Sequence, residues 1–227
     1  MVYNVIMDPI SKEEDTSTYN FDALKSNVPF IVNGQVVGQH PDYFDRSEIY
    51  KQNFEKMGSD SKNIKIIKNF ISERECKILI QYINTFAIPK EYPVKWDEKL
   101  EPIVTRKSYV NVEPTYKYVP LVQDLLEKEY GFPVKNKNVF VGRWDVGDNL
   151  DLHVDDLGTT STNHMATLIY LNSDYEGGEI EFPTHNISHK PQAGDLIMFP
   201  GNMHYAHEVK TITSGSRYSI PMWFEFV

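Results

Sequence analysis

The chain contains a single cysteine, Cys76, so it cannot form an internal disulfide, and a reducing compartment is compatible with it. It lacks the run of about 18 apolar residues that a membrane-spanning helix needs, and its start lacks the apolar stretch of a signal peptide. Basic residues are also scarce, since 23 lysines and arginines face 32 acidic residues and no basic run is long. These absences predict a cytoplasmic protein that contacts neither membrane nor nucleic acid.

The composition is otherwise that of a folded protein, with 41% hydrophobic and 13% aromatic residues in a chain of 227. That length can bury a sizeable core. Residues 1–62 are interpreted as an N-terminal extension with local elements of its own. A hairpin is predicted over 30–37, turning at Asn33-Gly34, and a helix is predicted over 44–57.

The main domain is expected to comprise residues 63–227, after a polar linker at 58–61. A strand is predicted over 64–67 and a helix over 118–130. Short strands separated by turn residues then continue to the C terminus, a pattern typical of a β-sandwich or barrel.

A second helix of this domain is predicted over 72–86. Ser72 and Glu75 have the spacing of a capping box, in which the serine side chain binds the backbone N–H of the glutamate. The helix carries Cys76 on its amphipathic pattern, so this thiol is predicted to be a core residue.

The most informative feature is His153-Val154-Asp155, because residues two apart on a strand point the same way and can present an imidazole and a carboxylate to one metal ion. A third ligand must come from a distant strand. His207 is the candidate, within a predicted half-buried strand over 206–212. Two imidazoles and one carboxylate are the set that holds Fe(II) on one face and leaves sites open for substrates and oxygen.

Arg217 opens another predicted strand over 217–224, and the planar fork of a guanidinium suits bidentate binding of a carboxylate. Ser219, two residues further on, is a candidate hydroxyl donor from the same strand face. The sequence therefore predicts that the chain binds a metal and an organic acid together.

Chance must be weighed against the short metal motif, because 7 histidines and 32 acidic residues produce about one His-x-acid match at random. The chain has a second match at 40–42, which we assign to the start of the helix over 44–57. Calcium is a poorer candidate for the aspartates around 145–156, because their spacing does not fit the calcium-binding loop.

The surrounding sequence resembles prolyl 4-hydroxylase-like Fe(II)/2-oxoglutarate dioxygenases. Residues 144–155 are similar to that family's aromatic-x-x-Gly-x-x-apolar-x-x-His-x-Asp signature. Four more blocks follow in the family's order: a strand at 166–172, a Gly-Gly-acid-x-x-Phe-Pro hairpin at 176–183, a turn and strand at 191–200, and His-x-Val-x-x-Ile-x-x-Gly-x-Arg at 207–217. A weaker match covers 63–86.

The resemblance implies a mainly β fold with packed helices, a double-stranded β-helix of the jelly-roll or cupin type. It implies that His153, Asp155 and His207 bind Fe(II) and that Arg217 pairs the distal carboxylate of 2-oxoglutarate. Tyr170 stands where a tyrosine reaches that carboxylate in some relatives, although a core aromatic is an equal interpretation.

The resemblance also bears on three further residues, one histidine and two at pocket positions. His204 competes with His207 for the third ligand position, and the motif spacing favours His207. Trp144 is a candidate cosubstrate contact, yet it stands where the family usually has tyrosine, and Leu150 stands where many members have a second tyrosine. An indole donates a hydrogen bond but cannot accept one, so the local network must differ.

The implied activity is hydroxylation of an unactivated C–H bond with Fe(II), 2-oxoglutarate and O2, with ascorbate as a reductant and succinate and CO2 as products. The expected substrate is a prolyl residue in a peptide or protein, with residues 106–109 resembling a strand near the substrate groove. A free amino acid or other small molecule is the alternative substrate. A metal-binding β-barrel without turnover is the non-enzymatic alternative, against which Arg217 argues.

Overall fold

The computed structural model describes residues 31–32, 35–36, 57–96, 102–156 and 163–227. Within these ranges the chain forms strands and two α-helices, joined by turns and short 3-10 segments. In chain order they are β1 (Ile31–Val32), β2 (Gln35–Val36), β3 (Lys65–Ile67), α1 (Glu73–Phe86), β4 (Lys90–Trp96), β5 (Pro102–Tyr109), α2 (Tyr118–Tyr130), β6 (Val134–Val139), β7 (Val141–Trp144), β8 (Leu150–His153), β9 (Met165–Tyr170), β10 (Glu176–Gly177), β11 (Ile180–Phe182), β12 (Ile187–His189), β13 (Leu196–Pro200), β14 (His207–Val209), β15 (Ile212–Ser214) and β16 (Arg217–Phe226).

Helix α1 begins where the sequence predicts it. Ser72 has an extended backbone, and its Oγ accepts a hydrogen bond from the Glu75 N–H at 3.2 Å, which satisfies one of the donors left free in the first turn. The Glu75 carboxylate binds Lys117 on the neighbouring segment. Cys76 is buried with Leu79 on the inner face of the helix, so the prediction that this thiol is a core residue is confirmed.

Helix α2 has the predicted bounds and ends at Gly131. This glycine adopts a left-handed backbone (φ 75°), which lets its N–H bind the carbonyl of Glu127 and close the last turn. Tyr118, Val122 and Leu126 form the buried side of the helix.

The larger sheet, called the major sheet, has the order β3-β13-β9-β16-β7-β5-β4, with β6 also paired to β16. Along β16 successive side chains alternate between its two faces, as the pleat of a strand requires. Ile220 and Met222 lie in the core cluster that includes α1 and α2. Arg217 and Ser219 therefore belong to the opposite face, which looks away from the helices.

A four-stranded sheet, called the minor sheet, has the order β12-β11-β14-β8 and covers that opposite face. Phe182 of β11 meets Phe199 of β13 edge to face, with ring centroids 4.9 Å apart, and both side chains are fully buried. Strands β10 and β15 form a separate antiparallel pair. The architecture is thus helices on one face of the major sheet and the minor sheet on the other.

One predicted strand is interrupted. The sequence pattern predicts a continuous strand over 206–212, but β14 ends at Val209 and β15 starts at Ile212. The Lys210 N–H donates to the carbonyl of Glu179, and β15 continues beside β10 instead of β11. The chain changes partner strand here, which a two-residue alternation does not reveal.

The hairpin predicted over 30–37 is present: β1 and β2 pair antiparallel, Ile31 opposite Val36 and Val32 opposite Gln35. The predicted helix over 44–57 falls on residues outside the described ranges, apart from its last one. The stretch predicted as a linker lies against the segment between β13 and β14, because the Tyr205 hydroxyl is 3.0 Å from the carbonyl oxygen of Gly58. Among the helices described, none is long and apolar enough to cross a bilayer.

Candidate metal centre and carboxylate pocket

His153 and His207 lie directly opposite each other on neighbouring strands of the minor sheet. His153 is the last residue of β8 and His207 the first of β14, and the two are register partners. Their ring centroids are 4.3 Å apart, and both side chains are buried. Strand pairing alone therefore brings two imidazoles together across 54 residues of sequence.

Asp155 joins the pair from a loop, because β8 ends at His153. The expectation that Asp155 reaches the site because it follows His153 on one strand is thus wrong, since Asp155 lies beyond the end of that strand. The N–H groups of Asp155 and Asp156 both donate to the carbonyl of Gly201, at 3.1 and 2.8 Å, which draws the chain off the sheet. The Asp155 carboxylate still lies 4.0 Å from His153 Nε2 and 3.8 Å from His207 Nε2.

The two imidazoles are oriented by backbone carbonyls. His153 Nδ1 lies 2.8 Å from the oxygen of Asp151, and His207 Nδ1 lies 3.1 Å from the oxygen of Tyr205. With Nδ1–H as the donor, each ring keeps its Nε2 lone pair free to bind a metal. Burial and the adjacent His153 lower the pKa of His207 well below its usual value, which favours the neutral, metal-binding form.

The donor set fits Fe(II). One ligand atom from each of His153, Asp155 and His207 lies within 4.8 Å of the other two, and no second group of three such residues occurs in the described part of the chain. Two nitrogens and one carboxylate oxygen on one side of an ion are the arrangement that iron oxygenases use. His204 is outside this group; its own carbonyl binds His185 Nε2 at 2.8 Å.

A second group of polar side chains lies on the inner face of the major sheet. Trp144 of β7 is the register partner of Arg217 on β16. Ser219 is paired with Gly142 on one side and with Tyr170 on the other. Because register partners share a face, the four predicted cosubstrate contacts, Trp144, Tyr170, Arg217 and Ser219, point to the same side of the sheet.

The same row of the major sheet extends to β5. Ser108 is the register partner of Gly142, is 2% exposed, and has a hydroxyl without a hydrogen-bond partner in the described structure. The neighbouring Lys107 points the other way and binds Asp145 at 2.9 Å. Of residues 106–109, which resemble a substrate-groove strand, Ser108 thus lies on the face that carries the candidate site.

Arg217 is 1% exposed, yet no carboxylate of the described residues pairs with it. One of its terminal nitrogens donates to the Gly178 carbonyl at 3.1 Å, while its Nε has no partner among described atoms. The guanidinium carbon lies 4.8 Å from the centroid of the Trp144 ring and 5.5 Å from that of Tyr170. A buried cation without an anion is costly, so this position is suited to an anionic ligand.

Tyr170 supplies a second donor beside this cation. Its side chain is fully buried and its hydroxyl lacks a hydrogen-bond partner in the described structure. Burial raises the pKa of Tyr170 to about 12, with Arg217 opposing the shift. The phenol therefore stays protonated and can donate to a ligand oxygen.

The metal side and the carboxylate side are connected by direct packing. His207 contacts the ring of Phe199 on the major sheet, with centroids 4.7 Å apart. Val209, further along β14, packs in a cluster with Trp144, against which Leu150 is also packed. Both groups of side chains thus face the space between the two sheets.

Gly201 is a residue whose part in the site the sequence does not reveal. Its carbonyl holds the loop that carries Asp155, and a Cβ added to it would lie 2.0 Å from the Asn163 carbonyl oxygen. The sequence signal is only a Pro-Gly-Asn turn after β13, and turn residues of this kind occur in many loops.

The sequence matches the 2OG-Fe(II) oxygenase superfamily over residues 139–225. Prolyl 3-hydroxylase 2 of Homo sapiens is 38% identical over 64 residues, which is 26% of this chain and 9% of that protein. A PKHD-type hydroxylase of Prochlorococcus marinus is 27% identical over 127 residues, 53% of this chain and 56% of the relative. The chain thus matches a small part of the first relative and a little over half of the second.

Among solved structures, a prolyl hydroxylase from Trichoplax adhaerens, in complex with a hypoxia inducible factor oxygen degradation domain peptide fragment, superposes with a TM-score of 0.57. The identity is 16%, and the superposition covers 81% of this chain and 95% of that one. A likeness at this identity concerns the fold. Together with the two antiparallel sheets it confirms the predicted fold class, a double-stranded β-helix with packed helices.

Proposed function

We propose that this chain, whose residues 139–225 match the 2OG-Fe(II) oxygenase superfamily, is a dioxygenase that hydroxylates a prolyl residue in a peptide or protein. The observation that carries the proposal is the pairing of two groups between the same two sheets. One group offers three ligand atoms to a metal. The other offers a carboxylate the buried cation of Arg217, which pairs with no acid among the residues that the structure describes.

In this proposal His153, Asp155 and His207 hold Fe(II) from the minor sheet. Bound Fe(II) and 2-oxoglutarate together supply the O2-dependent oxidation of a C–H bond, with succinate and CO2 as the other products. The protein orients the reactants: the Nδ1 bonds fix the two imidazoles, and the Gly201 carbonyl fixes the loop of Asp155.

Arg217 binds the distal carboxylate of 2-oxoglutarate, and Tyr170 donates a hydrogen bond to it. The Trp144 ring covers the guanidinium and keeps water away from it, while Ser219 adds a hydroxyl on the same face of β16. A carboxylate in this position restores charge balance to a buried cation, which is the physical reason that the cosubstrate binds there.

Peptidyl proline is favoured as the substrate by the names of the relatives. Two of the similar proteins are prolyl hydroxylases, and one of these was solved with a peptide bound. The formal charge of −9 also argues against nucleic acid as the substrate. The single Cys76, a buried thiol, suits a reducing compartment, and we propose the cytoplasm as the location.

The test begins with an anaerobic titration of the metal-free protein with Fe(II) and 2-oxoglutarate. We expect the weak visible charge-transfer band that forms when the cosubstrate chelates the metal. Air, ascorbate and a proline-rich peptide are then added, and the peptide's gain of one oxygen atom is measured together with succinate.

The matched control peptide carries alanine in place of each proline. Hydroxylation of the proline peptide alone supports the proposed substrate class. Hydroxylation of free proline, with none of the peptide, would favour the small-molecule alternative. A protein that binds iron but forms neither the band nor succinate would contradict the enzyme assignment.

A further inference from the structure

Tyr175 is a buried tyrosine beside the proposed carboxylate site, in the segment between β9 and β10. Its side chain is 3% exposed and packs in one cluster with Trp144, Val209 and Ile212. Its hydroxyl is buried and has no hydrogen-bond partner in the described part of the chain. A buried phenol without a partner forfeits the free energy of a hydrogen bond unless a ligand provides it.

The ring of Tyr175 meets Arg217 across Gly178. A Cβ built on Gly178 would lie 2.4 Å from Cδ1 of Ile212, 3.1 Å from Cε2 of Tyr175 and 3.5 Å from Cδ of Arg217. The side chains of Tyr175 and Arg217 therefore pack closely around the same glycine, where no side chain would fit.

Arg217 also influences the pKa of both buried phenols. Burial raises the pKa of Tyr175, and Arg217 opposes that shift, as it does for Tyr170. The pKa of Tyr175 is also raised by Tyr170. Both remain protonated donors at neutral pH.

Lys190 holds the Tyr175 segment from the other side. Its ammonium lies 4.2 Å from the centroid of the Tyr175 ring and donates to the Tyr175 carbonyl at 3.0 Å. The cation over the ring face and the bond to the backbone fix the position of the ring. Because the ring is fixed, the position of its hydroxyl is fixed as well.

We propose that Tyr175 is a cosubstrate-binding residue whose hydroxyl donates a hydrogen bond to the distal carboxylate of 2-oxoglutarate, beside Arg217 and Tyr170. The inference rests on the proposed function, since it names a further contact of that site. A carboxylate accepts about four hydrogen bonds, so it can satisfy the Arg217 fork and both phenols at once. Arg217 Nε and the hydroxyls of Tyr170 and Tyr175, which have no partner among the described residues, would then all be paired by one ligand.

The test is Tyr175→Phe, which removes one oxygen and keeps the ring that packs against Trp144. Dissociation constants are measured by calorimetry on the Mn(II)-loaded protein, which binds ligand without turnover. We expect 2-oxoglutarate to bind about tenfold more weakly, the magnitude of a hydrogen bond to a charged group. Oxalate chelates the metal but has no distal carboxylate, so its affinity should change by less than about twofold on the same argument.

Tyr118→Phe is the matched control, because Tyr118 is also a buried phenol but lies on α2, on the helical side of the major sheet. It should leave the affinities for both ligands unchanged. Unchanged 2-oxoglutarate binding in Tyr175→Phe, or an equal loss for oxalate, would overturn the inference and leave the proposed function standing. Failure of the wild-type, metal-loaded protein to bind 2-oxoglutarate would overturn both.

Discussion

The two sheets present opposite chemistry to the space between them. On the minor sheet, His153 and His207 offer lone pairs, and the other nitrogen of each ring is already bound to a backbone carbonyl. On the major sheet, Arg217 and Tyr170 offer N–H and O–H groups, of which Arg217 Nε and the Tyr170 hydroxyl have no partner among described atoms. The metal side is therefore oriented by the protein's own backbone, whereas the carboxylate side is completed only by a ligand.

Two arginines on adjacent strands show the same contrast within the major sheet. Arg143 on β7 binds Asp145 at 2.8 Å and is part of a polar group with Ser216. Arg217 on β16 faces the other way, is buried, and pairs with no acid of the described chain. The charge of Arg143 is thus satisfied by an acid of the chain, whereas that of Arg217, the proposed binding residue, is not satisfied by any acid of the described residues.

The largest effect should come from Asp155→Ala, which removes one of the three proposed ligand atoms. Even hydrogen-bond partners of metal ligands change affinity by 10- to 100-fold, so we expect Fe(II) affinity to fall by more than about 100-fold. Anaerobic titration with Fe(II) measures it. His204→Ala is the control and should bind iron normally; loss of iron there, with normal binding in His207→Ala, would show that the third ligand is His204.

Replacement of the buried arginine separates the two sides. Arg217→Lys keeps the charge but loses the planar fork, so 2-oxoglutarate should bind roughly 10- to 100-fold more weakly while iron affinity is preserved. Calorimetry with Mn(II)-loaded protein distinguishes the two affinities. Arg143→Lys is the matched change on the helical face of the major sheet and should leave both affinities intact. An equal loss of 2-oxoglutarate affinity in both variants would refute the different roles given to the two arginines.

Gly201→Ala tests how far the metal side depends on its supporting loop. The added methyl would lie 2.0 Å from the Asn163 carbonyl oxygen, so the backbone that carries Asp155 must shift. We expect about 1–3 kcal/mol of destabilisation in urea unfolding, as overpacking usually costs, together with weaker iron binding. Gly142→Ala, whose nearest contact would be 3.5 Å, is the control for stability. Equal stability of the two variants would contradict this account.

The smallest effect is expected at the paired acid, Asp145. Burial opposes ionisation of this group, but hydrogen bonds from Ser216, Lys107 and Arg143 outweigh it and lower its pKa from 3.8 to about 2. Its folded-state pKa lies below the unfolded value, so its stabilisation is complete above about pH 4 and is lost as pH falls toward 2.

Asp145→Asn should therefore cost about 1–2 kcal/mol at pH 7, allowing for solvent screening of a partly exposed group. The difference from wild type should shrink below pH 4. Urea unfolding across that range measures both quantities. A difference that stays constant with pH would mean that hydrogen bonding, and not the charge, stabilises this group.

Much of this arrangement can be predicted from local sequence patterns. The capping serine of α1 and the end of α2 at Gly131 follow from side-chain and backbone preferences that act within a few residues. The two-residue period of β16 likewise places Arg217 and Ser219 on one face. The predicted ligand group of His153, Asp155 and His207 is brought together, while the roles of these residues remain a proposal.

Other features depend on contacts between distant segments and leave no local signal. Asp155 reaches the metal group because Gly201 holds its backbone, and the strand predicted over 206–212 breaks because β15 pairs with β10. Tyr175 lies in a turn, where no periodicity indicates whether a side chain is buried. Its proximity to Arg217 comes from the tertiary fold alone.

The alternation of β16 has a consequence for how such a site can change over evolutionary time. Insertion or deletion of one residue just before Arg217, on a strand that keeps its neighbours, would exchange the two faces of β16. Tyr218 and Ile220 would then enter the pocket, and the arginine would enter the helical core. Such a strand tolerates replacement of side chains but not a change in its length. New specificities on this scaffold are thus expected to arise by substitution along β16 and by length changes in the loops.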